Sequence, residues 1–419
     1  MADLASEVRD AAPTPPERAV GPLTPFRSAP FLATWTTGAF SSSANWMMSL
    51  AVPVLVWSLT ESVTLVGSAA AAANLPAFVG SPLGGVWADR YPKRFVLLAA
   101  LSAQVGLAFA LYRASQRPDL TVSWLLSLTA ANGLASSINL SAYQALVAEI
   151  VPERAVRPAY RLNAIQFNAS RAIGPAVAGW VLAGWGAPTA FLVNAFAHLP
   201  LILTLFLIRP RLVPRTETTH VVREILEAAR VTARIPALRT SLITIVASSA
   251  FGMSIQQLAK GLTEQVFHVG DAELGMLVAS IGLFAVATSV ALAFLGERFR
   301  GSVLVRGGLV LYGAGLLVVA ATGEFLVALV GFAITGLAHV LVNISVTMAI
   351  QSHVPDAYRG RVTSLQLMAI ILSMAFGAQL GGALGDLVGL PLVVGGYGTA
   401  LVVFAAVGHL RMDRLHALD

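Results

Sequence analysis

Twelve apolar stretches, each near the roughly 20 residues a helix needs to cross a bilayer, occupy most of the chain. They lie at 31–57, 64–88, 94–112, 120–147, 160–184, 187–208, 238–259, 272–295, 302–321, 325–349, 362–386 and 390–410. Backbone in hydrocarbon must satisfy its own hydrogen bonds, so only helices and closed barrels span a membrane. Barrel strands would be about half as long and would alternate in polarity. The predicted fold class is therefore all-α and integral to a membrane, with twelve transmembrane helices. Composition agrees. Of 419 residues, 56% are apolar and 11% charged, about half the charged share of a soluble domain, and the mean hydropathy is +0.75. The absence of cysteine removes disulfides, thiolate metal sites and a cysteine nucleophile.

A pI of about 10.0 would point to nucleic acid in a soluble chain, but here the basic residues follow topology. With the N-terminus inside, inner segments hold 23 of the 27 Lys and Arg residues; outer loops hold Arg113, Arg117 and Lys260, and Arg171 lies within a span. That asymmetry places both termini in the cytoplasm. Residues 1–29 are polar and Pro-rich, with no signal-peptide core, and predict a disordered cytoplasmic tail. Residues 412–419 form a second, short tail. The longest inner loop, 209–237, carries Val222, Ile225, Leu226 and Ala229 at helical spacing between Thr219 and Arg234, with Glu224, Glu227 and Arg230 facing elsewhere. It predicts an amphipathic helix lying on the inner membrane surface, with a plain linker helix as the alternative.

The chain repeats itself. Val151-Pro152-Glu153 and Val354-Pro355-Asp356 are 203 residues apart, as are Gly174, Ala178 and Gly179 from Gly377, Gly381 and Gly382. Asn139-Leu140-Ser141 precedes Asn343-Ile344-Ser345 by 204, and Ala88-Asp89-Arg90 precedes Gly296-Glu297-Arg298 by 208. The spans then form two six-helix bundles related by pseudo-two-fold symmetry, at 30–208 and 238–411, joined by the cytoplasmic linker 209–237. A six-plus-six duplication is common in secondary transporters, which bind substrate between the halves.

The loop after the second span reads Gly84-Gly85-Val86-Trp87-Ala88-Asp89-Arg90-Tyr91-Pro92-Lys93-Arg94. It resembles the G-x-x-x-D-R-x-x-[KR]-[KR] signature of the major facilitator superfamily, with Pro92 where a Gly is usual. Gly174-Pro175-Ala176-Val177-Ala178-Gly179 resembles the G-P-x-x-G-G element of the family's antiporters, with Ala178 in place of a Gly and without the glycines expected upstream. Tyr143, Val151-Pro152-Glu153, Asn163, Arg171, Gly174-Pro175 and Asn194, with the loop Gln351 to Val362, are similar to the branch holding the enterobactin exporter and macrolide efflux proteins. The resemblance covers about residues 30–410. It implies a gate built from Gly85, Asp89, Arg90, Lys93 and Arg94, whose contacts between spans and with the other half hold the outward-facing state. Gly174, Pro175 and Gly179 would let span five bend and approach a neighbour closely.

No acidic residue falls near a span centre, so there is no obvious buried carboxylate to carry a proton. Arg171, His198 and His339 are the titratable groups at depth. Arg171 either pairs with an anionic part of a substrate or is satisfied by carbonyls and nearby Asn residues. His339 is a candidate proton carrier or a satisfied hydrogen-bonding residue, and His198 is read as structural. Spans one, four, seven and ten line the cavity in the family, with contributions from two, five, eight and eleven. The candidate substrate-binding residues are thus Asn45, Trp46, Asn132, Asn139, Gln166, Arg171, Gln256, Gln257, His339 and Asn343, with Asn74, Gln366 and Gln379 behind them. Each amide has an alternative role in bonding a neighbouring helix.

An apolar cavity with neutral amides and one cation suits a bulky amphipathic compound better than a sugar or an inorganic ion. The expected function is secondary active export of amphipathic small molecules such as a drug, macrolide or siderophore, by alternating access and coupled to protons. The alternatives are a lipid or lysolipid flippase of the same fold, and a membrane-embedded enzyme or sensor. The enzyme reading lacks H-E-x-x-H, G-x-S-x-G and nucleotide-loop motifs. The expected partners are a small-molecule substrate, the lipid bilayer and a coupling proton, with no nucleic acid, cofactor or metal. The chain is expected to act as a monomer in the inner membrane.

Overall fold

A computed structural model describes residues 21–208, 221–295, 299–355 and 358–410. The predicted terminal tails, residues 209–220 of the linker, and Asp356 and Gly296-Glu297-Arg298 of the repeat lie outside these residues, apart from 21–29.

No strand occurs among the described residues. The helices are α1 (Ala29–Thr60), α2 (Val63–Arg90), α3 (Lys93–Ser115), α4 (Val122–Ile150), α5 (156–185), α6 (187–207), α7 (Pro236–Phe267), α8 (Asp271–Leu295), α9 (Gly301–Ala321), α10 (Phe325–His353), α11 (Arg359–Val388) and α12 (Leu390–Leu410). Local chemistry sets their ends. The Ser62 and Thr121 side chains accept the backbone N–H of Leu65 and Trp124, filling two of the donors that every helix start leaves open. Gly389, at φ +89°, ends α11. Within α2 the chain is interrupted at Leu75-Pro76, where Pro76 has no N–H to give.

Ten helical stretches among the described residues are long and apolar enough to cross a membrane. One of them, Glu153–Leu207, is two spans. Gly186, at φ +76°, turns the chain back, a conformation open to glycine at little cost. Contacts with α1 show the reversal. The Trp35 indole N–H donates to Leu162 O, Ser170 Oγ to Ala39 O, and Gly174 lies against Ser43 and Trp46, so 162–174 runs parallel to α1. Asn194 Nδ2 then donates to Ala44 O and His198 Nδ1 meets Ser41 Oγ, so the chain runs back. The 29-residue α4 is the twelfth span; Ser127, Thr129, Asn132, Ser136, Ser137, Asn139 and Ser141 dilute its hydropathy. Trp180, Phe206, Leu207, Leu326 and Leu387 stand exposed, as side chains facing lipid must.

The pseudo-two-fold relation holds at the level of contacts. Gly174 packs on α1 at Ser43 and Trp46, and its repeat partner Gly377 packs on α7 at Ala250. Gly179 meets Gly275 of α8, and its partner Gly382 meets Val63 of α2. The first six helices and the last six are joined along these two seams, α5 with α8 and α2 with α11. α5 stays helical through Gly174 and Pro175, so what this pair provides here is close approach rather than a break.

One expectation needs correction. Lys260 is not in a loop. It is 5% exposed inside α7, which runs eight residues past the predicted end to Phe267, and it pairs with Glu264 and with Asp271 Oδ1 at 2.7 Å. A cation flanked by apolar residues looks like a loop boundary until the two carboxylates reach it. The linker does form a helix, Val221–Arg234; among its described side chains Ala228 and Thr232 are buried, and Leu226 and Ala229 are exposed. This connecting helix packs on α7 and α11, and Glu227 accepts a hydrogen bond from Arg361 at 2.8 Å. The side chains of Val222 and Ile225 lie outside the described residues.

Candidate substrate site and gates

Arg171 sits midway along α5, about 15 residues from either end. Its guanidinium lies 5.4 Å from the Trp46 ring centroid, and Trp46 makes an edge-to-face contact with Phe167 at 5.7 Å. From the other half, the rings of Tyr312 and His339 stand 6.4 Å apart, and Arg171 lies near both. The Tyr312 ring presses on Gly252, which lies in the π-helical stretch Ser248–Met253 of α7; such wide turns recur at functional sites. Arg171 and His339 are both partly exposed. Among the described residues Arg171 makes no hydrogen bond or ion pair. The carbonyl and Asn partners that would satisfy it internally are not there. A midplane cation is costly without a counter-charge; the ring face of Trp46 supplies part of one.

Several candidate amides are engaged elsewhere. Gln104, fully buried in α3, donates Nε2 to Asn45 Oδ1 at 2.9 Å and accepts Asn139 Nδ2 at 2.6 Å. This chain ties α1, α3 and α4 together inside the first half. Gln166 is buried against Tyr143, whose hydroxyl donates to its Oε1 at 3.5 Å. Gln366 bonds Thr347 of α10, Asn74 bonds its own helix at Ala70 O, and Gln379 accepts from Ser68 across the α2–α11 seam. Asn132 is buried with Oδ1 unpartnered, as are both amide atoms of Asn163. Gln256 and Gln257 are buried in α7, and Asn343 is partly exposed in α10. His198 is fully buried; Nδ1 is partnered by Ser41 and Nε2 is unpartnered. Gln104, Phe167 and Tyr312 were not singled out from the sequence. Gln104 had the one available signal, a lone amide in an otherwise apolar span.

The face carrying residues 91–92, 151–155 and 354–355 is the basic face. Away from it the halves are closed. On the α5–α8 seam a Cβ on Gly179 would come within 2.6 Å of Gly275 Cα, and one on Gly282 within 2.6 Å of Ala172 Cα. On the α2–α11 seam Gly67 abuts Ala378 O and Gly382 abuts Val63 O. At the basic face the other end of α2, 77–90, packs on α4 and α3. Gly85 has open space beside it. Asp89 and Arg90 are exposed and, among the described residues, make no hydrogen bond or ion pair. Lys93 pairs with Glu149 at 2.5 Å, and Arg94 Nη1 donates to Ile208 O at 3.1 Å. Both cations bind within their own half. The cleft between the halves therefore opens on the basic face.

The chain is 26% identical over 386 residues to the enterobactin exporter EntS of Citrobacter koseri, covering 88% of this chain and 89% of that one. It is 25% identical over 393 residues to the uncharacterized MFS-type transporter YfiS of Bacillus subtilis, with the same two coverages. A POT family transporter superposes with a TM-score of 0.74 at 11% identity over 92% of this chain and 96% of that chain. A D-xylose–proton symporter does so with a TM-score of 0.72 at 14% identity over 90% and 96%. At those identities the two structures speak for the fold alone. The family described as transmembrane secretion effector matches residues 20–419, and the chain belongs to it: it is a multi-pass transporter of the major facilitator superfamily, in the branch that includes the enterobactin exporters.

Proposed function

We propose that this protein exports an amphipathic small molecule by alternating access, with the basic face in the cytoplasm of a cell with an inner membrane. Residues 30–208 and 238–411 are the two moving bodies, and 209–237 tethers them. The observation that carries the reading is Arg171, a midplane cation with no anionic partner among the described residues, set between Trp46 and Phe167 of one half and Tyr312 and His339 of the other. The site takes an aromatic or apolar body against the rings and an anionic group at Arg171. Asn132, Gln256, Gln257 and Asn343 are secondary candidates, and the amides tied up by Gln104 and Tyr143 serve packing. Support for export comes from the relatives named as enterobactin exporters, and support for orientation from the distribution of basic residues. Coupling to the proton gradient and action as a monomer are what the family resemblance implies. Gly85, Asp89, Arg90, Lys93 and Arg94 are assigned to the gate on the basic face, with Asp89 unpartnered among the described residues in this state.

The test is accumulation of siderophores, macrolides and cationic dyes in efflux-deficient bacteria expressing this chain, with and without an uncoupler. Lower accumulation of at least one class, reversed by the uncoupler, is the expected result. Higher accumulation would mean import, and no change across the panel with confirmed expression would remove the drug-and-siderophore reading.

A further inference from the structure

α2 begins and α11 ends on the face opposite the basic one, and there a side chain of one half caps a helix of the other. Asp386 Oδ1 accepts the backbone N–H of Val63 at 2.9 Å. Its Oδ2 accepts the N–H of Thr64 at 2.9 Å and the hydroxyl of Ser62 at 2.8 Å. The first turn of a helix leaves backbone donors open and carries the positive end of the helix dipole, so a carboxylate there makes charge-assisted bonds. Such a cap normally comes from the residue just before the helix. Ser62 fills that place by accepting the Leu65 N–H, and Asp386 adds a second cap from more than 320 residues away. The same seam continues below it through Gly382 against Val63, Ser68 Oγ donating to Gln379 Oε1 at 3.0 Å, and Gly67 against Ala378.

We propose that Asp386 is a positioning residue of the transport cycle: its carboxylate caps α2 only while this face is closed, and so holds the protein in the state whose cleft opens on the basic face. Separating α2 from α11 removes the acceptor from three donors at once. Because Asp386 is exposed, water replaces the lost bonds, and the bias stays small enough to reverse in every cycle. The two helices run antiparallel along the seam, which makes the arrangement reciprocal. α2 ends in Asp89 on the basic face, where α11 starts at Arg359. In this state the Asp386 cap is made and Asp89 has no partner among the described residues. The inference rests on the alternating-access reading.

The experiment uses the full chain in lipid nanodiscs. The sequence has no cysteine, so introduced pairs report alone: Leu59→Cys with Leu387→Cys for the capped face, and Tyr91→Cys with Ser352→Cys for the basic face, each spin-labelled for distance distributions. Asp386→Ala is expected to shift the population toward opening of the capped face by about fivefold, the usual effect of replacing a capping Asp with Ala. Thr64→Pro removes one donor at a position where proline is tolerated and is expected to shift it the same way by less. Asp386→Glu is expected to restore part of the wild-type balance. If Asp386→Ala and Thr64→Pro match a wild type that itself populates both states, the proposal is overturned and alternating access stands. A wild type that shows one state under every substrate and gradient condition overturns both.

Discussion

At the scale of single residues, surroundings decide what a polar side chain inside the membrane is for. Asn45 and Asn139 read from the sequence as cavity amides, yet both are bonded to the fully buried Gln104. Replacing Gln104 with Leu leaves the Asn45 carbonyl and the Asn139 amide without that partner. The expected cost is about 1–3 kcal/mol, seen as a lower apparent melting temperature in detergent with the transport KM unchanged. Arg171 is the opposite case, a charge with a ring contact and no anion among the described residues. Arg171→Gln is expected to lose transport of anionic compounds at least tenfold more than of neutral ones. Equal loss for both would assign Arg171 to the shared mechanism instead. Neither distinction was legible in the sequence, because each depends on which side chains of other helices come within about 3 Å.

At the scale of elements, the spans were legible and their ends and contacts less so. Hydropathy found every crossing, since a lipid-facing helix is apolar along its whole length. It stopped α7 at 259, because Lys260 raises the local polarity and hydropathy carries no record of Glu264 and Asp271 across the turn. The glycine pattern was legible as a repeat, but its use was not. Gly179 and Gly382 serve the seams between halves, whereas Gly174 and Gly377 serve packing within each half. The seams make a paired prediction. Gly179→Val places side-chain atoms where Gly275 Cα already stands, and is expected to favour opening of the face opposite the basic one. Gly85→Val meets open space in this state, and is expected to leave it intact while hindering closure of the basic face. Accessibility of single introduced cysteines to an impermeant thiol reagent, compared for the two faces, reads both outcomes.

At the scale of the whole molecule, two pseudo-symmetric sets of six helices meet along two seams and part on the basic face. Asp89→Asn is expected to leave the protein inserted, at wild-type abundance, with transport reduced at least tenfold in the accumulation assay. Normal transport by a well-expressed variant would withdraw the gating role from Asp89. The sequence by itself determined the helical class, the number of spans, the side that holds the basic loops and the internal repeat. Each of these follows from a local transfer between water and lipid, or from a spacing along the chain, and needs no knowledge of neighbours. Only the tertiary structure decided which polar groups serve packing and which face the cleft, that Lys260 is buried between two carboxylates, that Asp386 caps a helix of the other half, and which face is open. Those properties belong to pairs of groups far apart in the chain, and pairing in hydrocarbon is fixed by close packing and hydrogen-bond geometry that no single segment carries.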